Sequence, residues 1–249
     1  PRSMPETPGS AGARYSRAGI GMPWLNFAIL IVAAYGVGSL PLGYWIVRRR
    51  GIDITKVGSG NPGATNVWRV CGWKLGLVVF VLDVLKGLVP ALAAQQLLGR
   101  QDAAFACGFA AILGHSLSPF LGFKGGKGIS TGLGALLGSS PVVALLALSA
   151  FIVVVLLTRY VSLASLVAAP AMVVAGILTG DSPILIGAYG VLALFIVFRH
   201  RANIARLIAG TEPKFGQKKN PEPGEETASN GTRESVLPEP EPVGAPTEE

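Results

Sequence analysis

Residues Trp24–Val47 read WLNFAILIVAAYGVGSLPLGYWIV, an apolar run without a charged side chain. As a helix it would be about 36 Å long at 1.5 Å per residue, enough to cross a hydrocarbon core of roughly 30 Å. Gly36, Gly38 and Gly43 give it a small-residue face for close helix packing. The basic run Arg48–Arg50 ends it. This stretch therefore predicts a transmembrane helix.

The rest of the chain repeats this pattern. Half of the 249 residues are hydrophobic and 14% are charged, and the apolar residues come in long runs instead of at amphipathic spacing. Lipid is a better solvent for such runs than a water-excluded core. The further runs are Leu75–Leu98, Ala104–Phe123, Ile129–Gly138, Val142–Leu157, Leu163–Leu178 and Ile184–Phe198. The sequence predicts an all-α polytopic membrane protein with about seven transmembrane helices.

The fourth run, Ile129–Gly138, is too short to cross a bilayer comfortably. It also contains Gly132, Gly134 and Gly138. Short or irregular elements occur at membrane depth where they line a cavity. We therefore expect a half-helix or a re-entrant element here.

The basic residues predict the topology. With seven crossings, residues 48–74, 124–128, 158–162 and 199–220 share one side of the membrane and hold most of the Lys and Arg. The positive-inside rule makes this side cytoplasmic, with the N-terminus outside and the C-terminus in the cytoplasm. The same rule accounts for the formal net charge of +7, so no nucleic-acid partner is needed.

Two tails are expected to flank a membrane domain of residues 23–212. Residues 1–22 are rich in Gly, Ser, Pro and Arg, and the apolar run after them lacks an A-x-A-like cleavage site, which predicts a disordered tail instead of a signal peptide. Residues 213–249 are rich in Pro and Glu and poor in apolar residues, which predicts a second disordered tail.

The first cytoplasmic loop has the composition of an anion site. Successive N–H groups in a glycine-rich turn form a cradle for anions, and Arg69 can add a bidentate contact to phosphate. A flexible loop with an interfacial arginine is the alternative. A dinucleotide site is not expected, because no strand precedes the G-x-G-x-x-G pattern. The candidate ligand-binding residues are Gly58, Ser59, Gly60, Asn61, Gly63, Thr65, Asn66 and Arg69.

The second loop also joins glycines to cations. A glycine-rich turn at a helix N-terminus offers free N–H groups and the positive end of the helix dipole. It is not a Walker A loop, because Leu121 stands where that motif has its first glycine. The alternative is a tight turn with positive-inside lysines. The candidate residues are Lys124, Gly125, Gly126, Lys127 and Gly128.

A third cluster follows the last apolar run. On a helix continuing out of the membrane, His200 and Asn203 share a face, and so do Asn203 and Arg206. The alternative is a snorkelling anchor at the membrane surface. Ser162, in the connector that begins at Arg159, is a smaller candidate.

Three ionisable residues fall inside predicted spans, where charge is costly. Asp83 and Lys86 are three apart and are expected to pair or to face a wet cavity. His115 is expected to be a hydrogen-bonded residue between helices, and a role as a catalytic base is the less favoured alternative.

Three motifs make the chain resemble a known family, the bacterial membrane-integral acyl-phosphate:glycerol-3-phosphate acyltransferases, or PlsY family. They are G-S-G-N-P-G-A-T-N-x-x-R from Gly58, G-H-x-x-x-P-F-x-G-F-K-G-G-K-G from Gly114, and R-H-x-x-N-I-x-R-L-x-x-G-x-E from Arg199. The resemblance covers about residues 24–212. It implies seven helices in the bacterial inner membrane and a site on the cytoplasmic face.

The resemblance also implies a reaction. An acyl group moves from acyl phosphate to the 1-hydroxyl of glycerol 3-phosphate, giving lysophosphatidic acid and inorganic phosphate as the first step of phospholipid synthesis. No metal, coenzyme A or other cofactor takes part, and a separate soluble acyl-carrier-protein phosphate acyltransferase is expected to supply the donor. Either the donor phosphate or His200 could accept the hydroxyl proton.

Roles follow by motif position. Ser59 and Arg69 would be essential, and the second-loop glycines would bind the acyl-phosphate head with help from Lys127. His200 and Asn203 would serve activity and glycerol 3-phosphate binding. Ser162 would lie near the acceptor, and Glu212 would maintain integrity.

Two other classes remain as alternatives. A transporter for a phosphorylated solute could bind an anion at a discontinuous helix, but no internal repeat is evident. An alcohol phosphotransferase would need paired metal-binding aspartates, and Asp83 lacks such a partner in sequence. The H-x-x-x-x-D pattern of other acyltransferases is also absent after both histidines.

Overall fold

A computed structural model describes residues 23–216, so the predictions for residues 1–22 and 217–249 lie outside the described residues. The described part is helical and contains no strand. This confirms the predicted fold class. Its helices are α1 (Pro23–Ser39), α2 (Leu42–Arg48), α3 (Ala64–Cys71), α4 (Trp73–Leu98), α5 (Gln101–Ser116), α6 (Ile129–Ser139), α7 (Pro141–Thr158), α8 (Val161–Leu178), α9 (Pro183–Arg199) and α10 (Arg201–Ile208).

Among the described residues, five segments are long and apolar enough to cross a membrane. A sixth results if α9 and α10 form one broken span. Large apolar side chains cover the outside of the bundle: Leu157 is 80% exposed and Leu178 is 77% exposed. Such an exterior is costly in water and suits lipid. The five segments are Trp24–Arg48, Trp73–Leu98, Gln101–Leu121, Pro141–Thr158 and Val161–Leu178.

The first span contains a break at Leu40 and Pro41, between α1 and α2. The carbonyl of Leu40 accepts a hydrogen bond from the N–H of Leu42. It also accepts one of 2.9 Å from Nζ of Lys86 on α4. The lysine thus satisfies a carbonyl that the break removes from regular helical bonding.

The short fourth run forms α6, which is about 16 Å long for its 11 residues. It lies against α4 and α5 and is largely buried. Close approach requires small residues here, since a methyl carbon added to Gly134 would lie 1.9 Å from the carbonyl oxygen of Val84. The helix is too short to span a bilayer by itself. Its assignment as a half-helix or a re-entrant element stays a prediction.

A polar network closes the end of the bundle away from the glycine-rich loops. Tyr189 on α9 hydrogen-bonds to Asp181 at 2.8 Å and also to Ser140. Gln101 at the start of α5 donates to Ser140 at 2.8 Å and to Asp181 at 3.2 Å. The network joins the beginnings of α5, α7 and α9.

The prediction of one helix continuing out of the membrane through His200 is wrong. Helices α9 and α10 meet at His200 with a bend of 59°. The ring of His200 turns back onto its own helix, where Nδ1 lies 2.8 Å from the carbonyl oxygen of Ile196. The bend redirects α10, so that Asn203 points into the protein and is 5% exposed.

Candidate active site

The first loop is shaped by Asn66, which is buried at the start of α3. Its Oδ1 accepts the N–H of Ser59 at 2.9 Å, and its Nδ2 donates to the carbonyls of Ile54 and Val57. These bonds occupy the amide. Asn66 therefore holds the loop in shape through its side chain. Its predicted role in substrate binding stays a prediction.

The glycines of this loop have defined local roles. Gly58 has φ +62°, and a methyl carbon added there would lie 2.3 Å from Oδ1 of Asn66. Gly60 has φ +68°, which also favours glycine. Asn61 accepts the N–H of Gly63 at 2.9 Å, which forms a turn just before α3. Ser59 and Thr65 remain at the loop surface, exposed and half-buried respectively.

Arg69 lies in the last turn of α3 and is half-buried. Burial lowers the pKa of its guanidinium, with Arg206 adding to this effect and Glu212 opposing it. Arg69 therefore lies within electrostatic reach of the third motif. The sequence predicted such a convergence of loops on one face.

The second loop uses its central glycines for packing. The N–H groups of Gly125 and Gly126 donate to the carbonyls of Ser116 and His115, at 3.1 and 3.2 Å. Their own carbonyls each accept a 2.9 Å bond from the guanidinium of Arg199. These N–H groups are thus committed within the protein. The expectation that the second-loop glycines bind the acyl-phosphate head stays a prediction.

Beyond those glycines, the loop leads into α6. Among the described residues, the N–H groups of Gly128, Ile129 and Ser130 make no backbone hydrogen bond. They therefore form the free, positive end of this helix. Gly128 is buried with φ +80°, whereas Lys124 is exposed at the loop tip.

Lys127 begins a chain of side-chain contacts. Its Nζ donates to Oδ1 of Asn203 on α10. The amide of Asn203 donates to Oε1 of Glu212 at 2.7 Å, and Nε of Arg206 donates to Oε2 at 2.7 Å. These contacts form a relay of four side chains, Lys127, Asn203, Glu212 and Arg206. The relay joins the second loop to the third motif and occupies both oxygens of the carboxylate.

The electrostatics of the relay favour an anionic ligand. Burial lowers the pKa of Lys127 to about 8, and Arg206, Arg199 and Arg69 add to the shift while Glu212 opposes it. Burial alone would raise the pKa of Glu212, but hydrogen bonds from Asn203 and Arg206, together with the nearby hydroxyl of Ser162, outweigh it and lower the pKa. The single carboxylate acting on Lys127 therefore faces several cations.

His200 is 2% exposed beside this relay and interacts electrostatically with Lys127 and Glu212. Because a carbonyl oxygen can only accept, its contact with Ile196 requires Nδ1 to carry the proton. Nε2 of the neutral ring is then an acceptor. In this tautomer Nε2 can accept a hydrogen bond from a hydroxyl group or remove the proton of that hydroxyl group.

Sequence reasoning missed the residues that follow Glu212. The main chain of Phe215 pairs with that of Arg159 at 2.7 Å, and the guanidinium of Arg159 donates to the carbonyl of Phe215. The ring of Phe215 lies 5.2 Å from that of Trp68 on α3. These contacts lie beyond the predicted boundary at residue 212. The ring of Phe215 and the two contacts of Arg159 hold the segment that carries Glu212. The aromatic residue in an otherwise polar stretch was the available signal.

The ionisable residues of the spans lie next to this site. Asp83 and Lys86 form an ion pair of 2.9 Å, which is one of the two arrangements expected from the sequence. His115 joins them, with Nδ1 3.5 Å from Oδ1 of Asp83. Within residues 23–216 no group of three or more His, Cys, Asp or Glu could hold a metal ion.

The fold and the site together define a class: a polytopic membrane protein that presents a compact cationic site on glycine-rich loops. The particular family follows from comparison. Residues 28–210 match the family model for glycerol-3-phosphate acyltransferase, and the chain belongs to this family of acyltransferase enzymes. The membership sets aside the transporter and phosphotransferase alternatives.

Similar proteins support the same assignment. A glycerol-3-phosphate acyltransferase of Geobacter sulfurreducens is 48% identical over 191 residues, covering 77% of this chain and 98% of that protein. A glycerol-3-phosphate acyltransferase of Fusobacterium nucleatum is 42% identical over 192 residues, covering 77% of this chain and 99% of that protein. The crystal structure of PlsY, an integral membrane glycerol 3-phosphate acyltransferase, in its glycerol 3-phosphate form is 41% identical with a TM-score of 0.74, covering 77% of this chain and 96% of that one.

Proposed function

We propose that the enzyme transfers a fatty acyl group from acyl phosphate to the 1-hydroxyl of sn-glycerol 3-phosphate. The observation that supports this most directly is the cationic cluster at Glu212: Arg206 bonds to its carboxylate directly and Lys127 is linked to it through Asn203. Arg69 lies within electrostatic reach of the same carboxylate. Two phosphate-bearing substrates repel each other, so their encounter requires an excess of cations. The solved relative with a glycerol 3-phosphate form supports this acceptor, and the one with a lysophosphatidic acid form supports the product.

The chemistry requires little beyond alignment and charge neutralisation. The acceptor hydroxyl oxygen bonds to the acyl carbon while the bond from that carbon to the phosphate oxygen breaks. The hydroxyl proton ends on the released phosphate, either directly or through Nε2 of His200. The products are lysophosphatidic acid and inorganic phosphate, and all atoms are accounted for without a cofactor.

The residues divide between the two phosphates. In the second loop, Lys127 and the free N–H groups at the start of α6 would bind the phosphate of the acyl donor, and Arg69 would neutralise phosphate charge beside them. His200, Asn203 and Ser162 would orient glycerol 3-phosphate beside them. Ser59, exposed on the first loop, is proposed to act on the donor side.

The proposed site faces the cytoplasm of a bacterial inner membrane. The support is the bias of Lys and Arg toward the glycine-rich loops. The donor is a reactive mixed anhydride, so a soluble acyl-carrier-protein phosphate acyltransferase is proposed to supply it from the same side.

The donor assignment is tested with purified protein in lipid. We expect 1-acyl-glycerol 3-phosphate to form from acyl phosphate and glycerol 3-phosphate without coenzyme A, and to form equally well in the presence of a chelator. Added inorganic phosphate should slow turnover by competing for the cationic site. Turnover with acyl-CoA but not with acyl phosphate would overturn the assignment.

The same assay in sealed membrane vesicles tests the orientation. Glycerol 3-phosphate is charged and does not cross a bilayer unaided. We therefore expect activity in inverted inner-membrane vesicles and little in right-side-out vesicles until a detergent opens them. The opposite pattern would place the site on the outer face.

The pKa of Lys127 predicts an alkaline limit to activity. Its pKa lies near 8, so the ammonium is present below that pH and is lost as the pH rises through it. We expect kcat/KM, which reports the free enzyme, to fall over this window between about pH 7 and pH 9. Lys127→Arg should move the fall to a higher pH, because a guanidinium stays protonated. An unchanged alkaline limb in this variant would contradict the assignment of the limb to Lys127.

A further inference from the structure

The ionisable cluster inside the bundle is not used by the proposed chemistry. Asp83 and Lys86 are 3% and 5% exposed, and the side chain of His115 is 9% exposed. Nδ1 of His115 lies 3.4 Å from Nζ of Lys86 and 3.5 Å from the carboxylate of Asp83. Lys86 is held in turn by the carbonyl of Leu40. The imidazole is thus fixed from one side by α4.

The other edge of the same ring meets the second loop. A methyl carbon added to Gly126 would lie 2.0 Å from Nε2 of His115. The carbonyl of His115 also accepts the N–H of Gly126. On its opposite side the turn is held by Arg199, which bonds to the carbonyls of Gly125 and Gly126. The ring therefore lies directly against the turn that precedes Lys127.

An ion pair buried among helices is seldom retained for stability alone, because desolvation offsets most of the attraction. Such a pair can instead favour one arrangement of the groups around it. Here the neighbour is the turn that leads into both Lys127 and the free N–H groups of α6. A shift of about 1 Å at such a turn misplaces the cation that follows it.

We propose that His115 is a positioning residue for the acyl-donor site: held by Asp83 and Lys86, its imidazole sets the place of the Gly125–Gly126 turn and so of Lys127. The inference rests on the proposed assignment of this loop to acyl phosphate. It predicts that loosening the ring changes donor binding more than acceptor binding, because Asn203 lies on α10 and Glu212 on the segment after it, which contacts between Phe215 and Arg159 hold.

Adjacent glycines offer a matched test. The added methyl of Gly126→Ala would strike a side chain, whereas that of Gly125→Ala would lie 2.0 Å from the main-chain oxygen of His115. His115→Ala removes the first obstacle and leaves the second. We expect Gly126→Ala to raise KM for acyl phosphate at least about 10-fold, and the added His115→Ala change to return it to within about 3-fold of His115→Ala alone. Gly125→Ala should be equally impaired in both backgrounds.

The kinetic pattern of His115→Ala alone completes the test. We expect KM for acyl phosphate to rise several-fold and KM for glycerol 3-phosphate to change by less than about 2-fold. Tyr189→Phe, in the polar network at the other end of the bundle, should lower the melting temperature without changing either KM. Equal impairment of Gly126→Ala with and without His115, or equal rescue of Gly125→Ala, would overturn the proposal.

Further variants distinguish a failure of this proposal from a failure of Gly126→Ala to fold and from a failure of the donor assignment. If Gly126→Ala does not accumulate as folded protein, His115→Gln and Asp83→Asn test the same point, and an unchanged donor KM in both would overturn the proposal. If the wild-type protein rejects acyl phosphate, the donor assignment fails, and the same variants assayed with the donor that it accepts still decide the role of His115.

Discussion

Arg69→Lys is expected to lower kcat/KM by at least about 100-fold, although the side chain keeps its charge. Arg69 is half-buried at the end of α3 and lies within electrostatic reach of Glu212 and Arg206. A guanidinium presents a planar fork that holds two phosphate oxygens together, whereas an ammonium is a compact point charge that cannot hold both in that geometry. A 100-fold loss corresponds to about 2.7 kcal/mol of transition-state stabilisation. Steady-state kinetics with both substrates measure it.

Arg201→Lys is the matched control for this change. Arg201 is exposed and contacts Phe198 through its guanidinium, away from the relay. We expect less than about a 2-fold change in kcat/KM for it. If Arg69→Lys retains as much activity as Arg201→Lys, Arg69 does not grip phosphate with both nitrogens.

Asn203→Asp is expected to lower turnover as much as Arg69→Lys does, although it replaces an NH₂ group with an oxygen of similar size. The amide of Asn203 accepts from Lys127 and donates to Glu212, so both of its ends are occupied. A carboxylate in its place would face the carboxylate of Glu212 at hydrogen-bond distance, where like charges repel. We expect at least about a 100-fold loss of turnover, together with a lower melting temperature.

A second substitution separates the loss of this hydrogen bond from a general disturbance. Combining Asn203→Asp with Glu212→Gln restores one amide and one carboxylate, with the direction of the hydrogen bond reversed. We expect the double variant to recover at least about 10-fold of the lost turnover, but not all of it, because Arg206 loses its ionic partner. A double variant no better than Asn203→Asp alone would show that the contact does not organise the site.

The membrane fold could be predicted from local properties of the chain. The predicted run Leu75–Leu98 ends at the same residue as α4, and the predicted run Ile129–Gly138 differs from α6 by one residue. Run length and polarity suffice to predict the spans because lipid offers no hydrogen bonds. Each span must therefore form its backbone hydrogen bonds within its own helix. The pairing of Asp83 with Lys86 is also local, since residues three apart share a helix face.

The candidate site was only partly predictable. Motif positions pointed to Lys127, Asn203 and Glu212 separately, and the relay that joins them appears only in the folded chain. The 59° bend at His200 was missed because no proline or glycine marks it. The role predicted for Ser59 stays a prediction. The internal hydrogen bonds of Asn66 and of the central glycines of the second loop were also not predictable from the sequence, and the binding roles predicted for these residues stay predictions.

The sequence by itself determined that the chain is a bundle of membrane helices with basic, glycine-rich loops, because hydrophobicity and helical spacing act over neighbouring residues. Tertiary structure alone decided which of those residues meet. Lys127 and Asn203 are 76 positions apart, and His115 meets the Gly125–Gly126 turn only because α5 and the turn pack closely at that point. Such contacts depend on the close packing of whole helices, where a single methyl group is too large, and no local pattern encodes that fit.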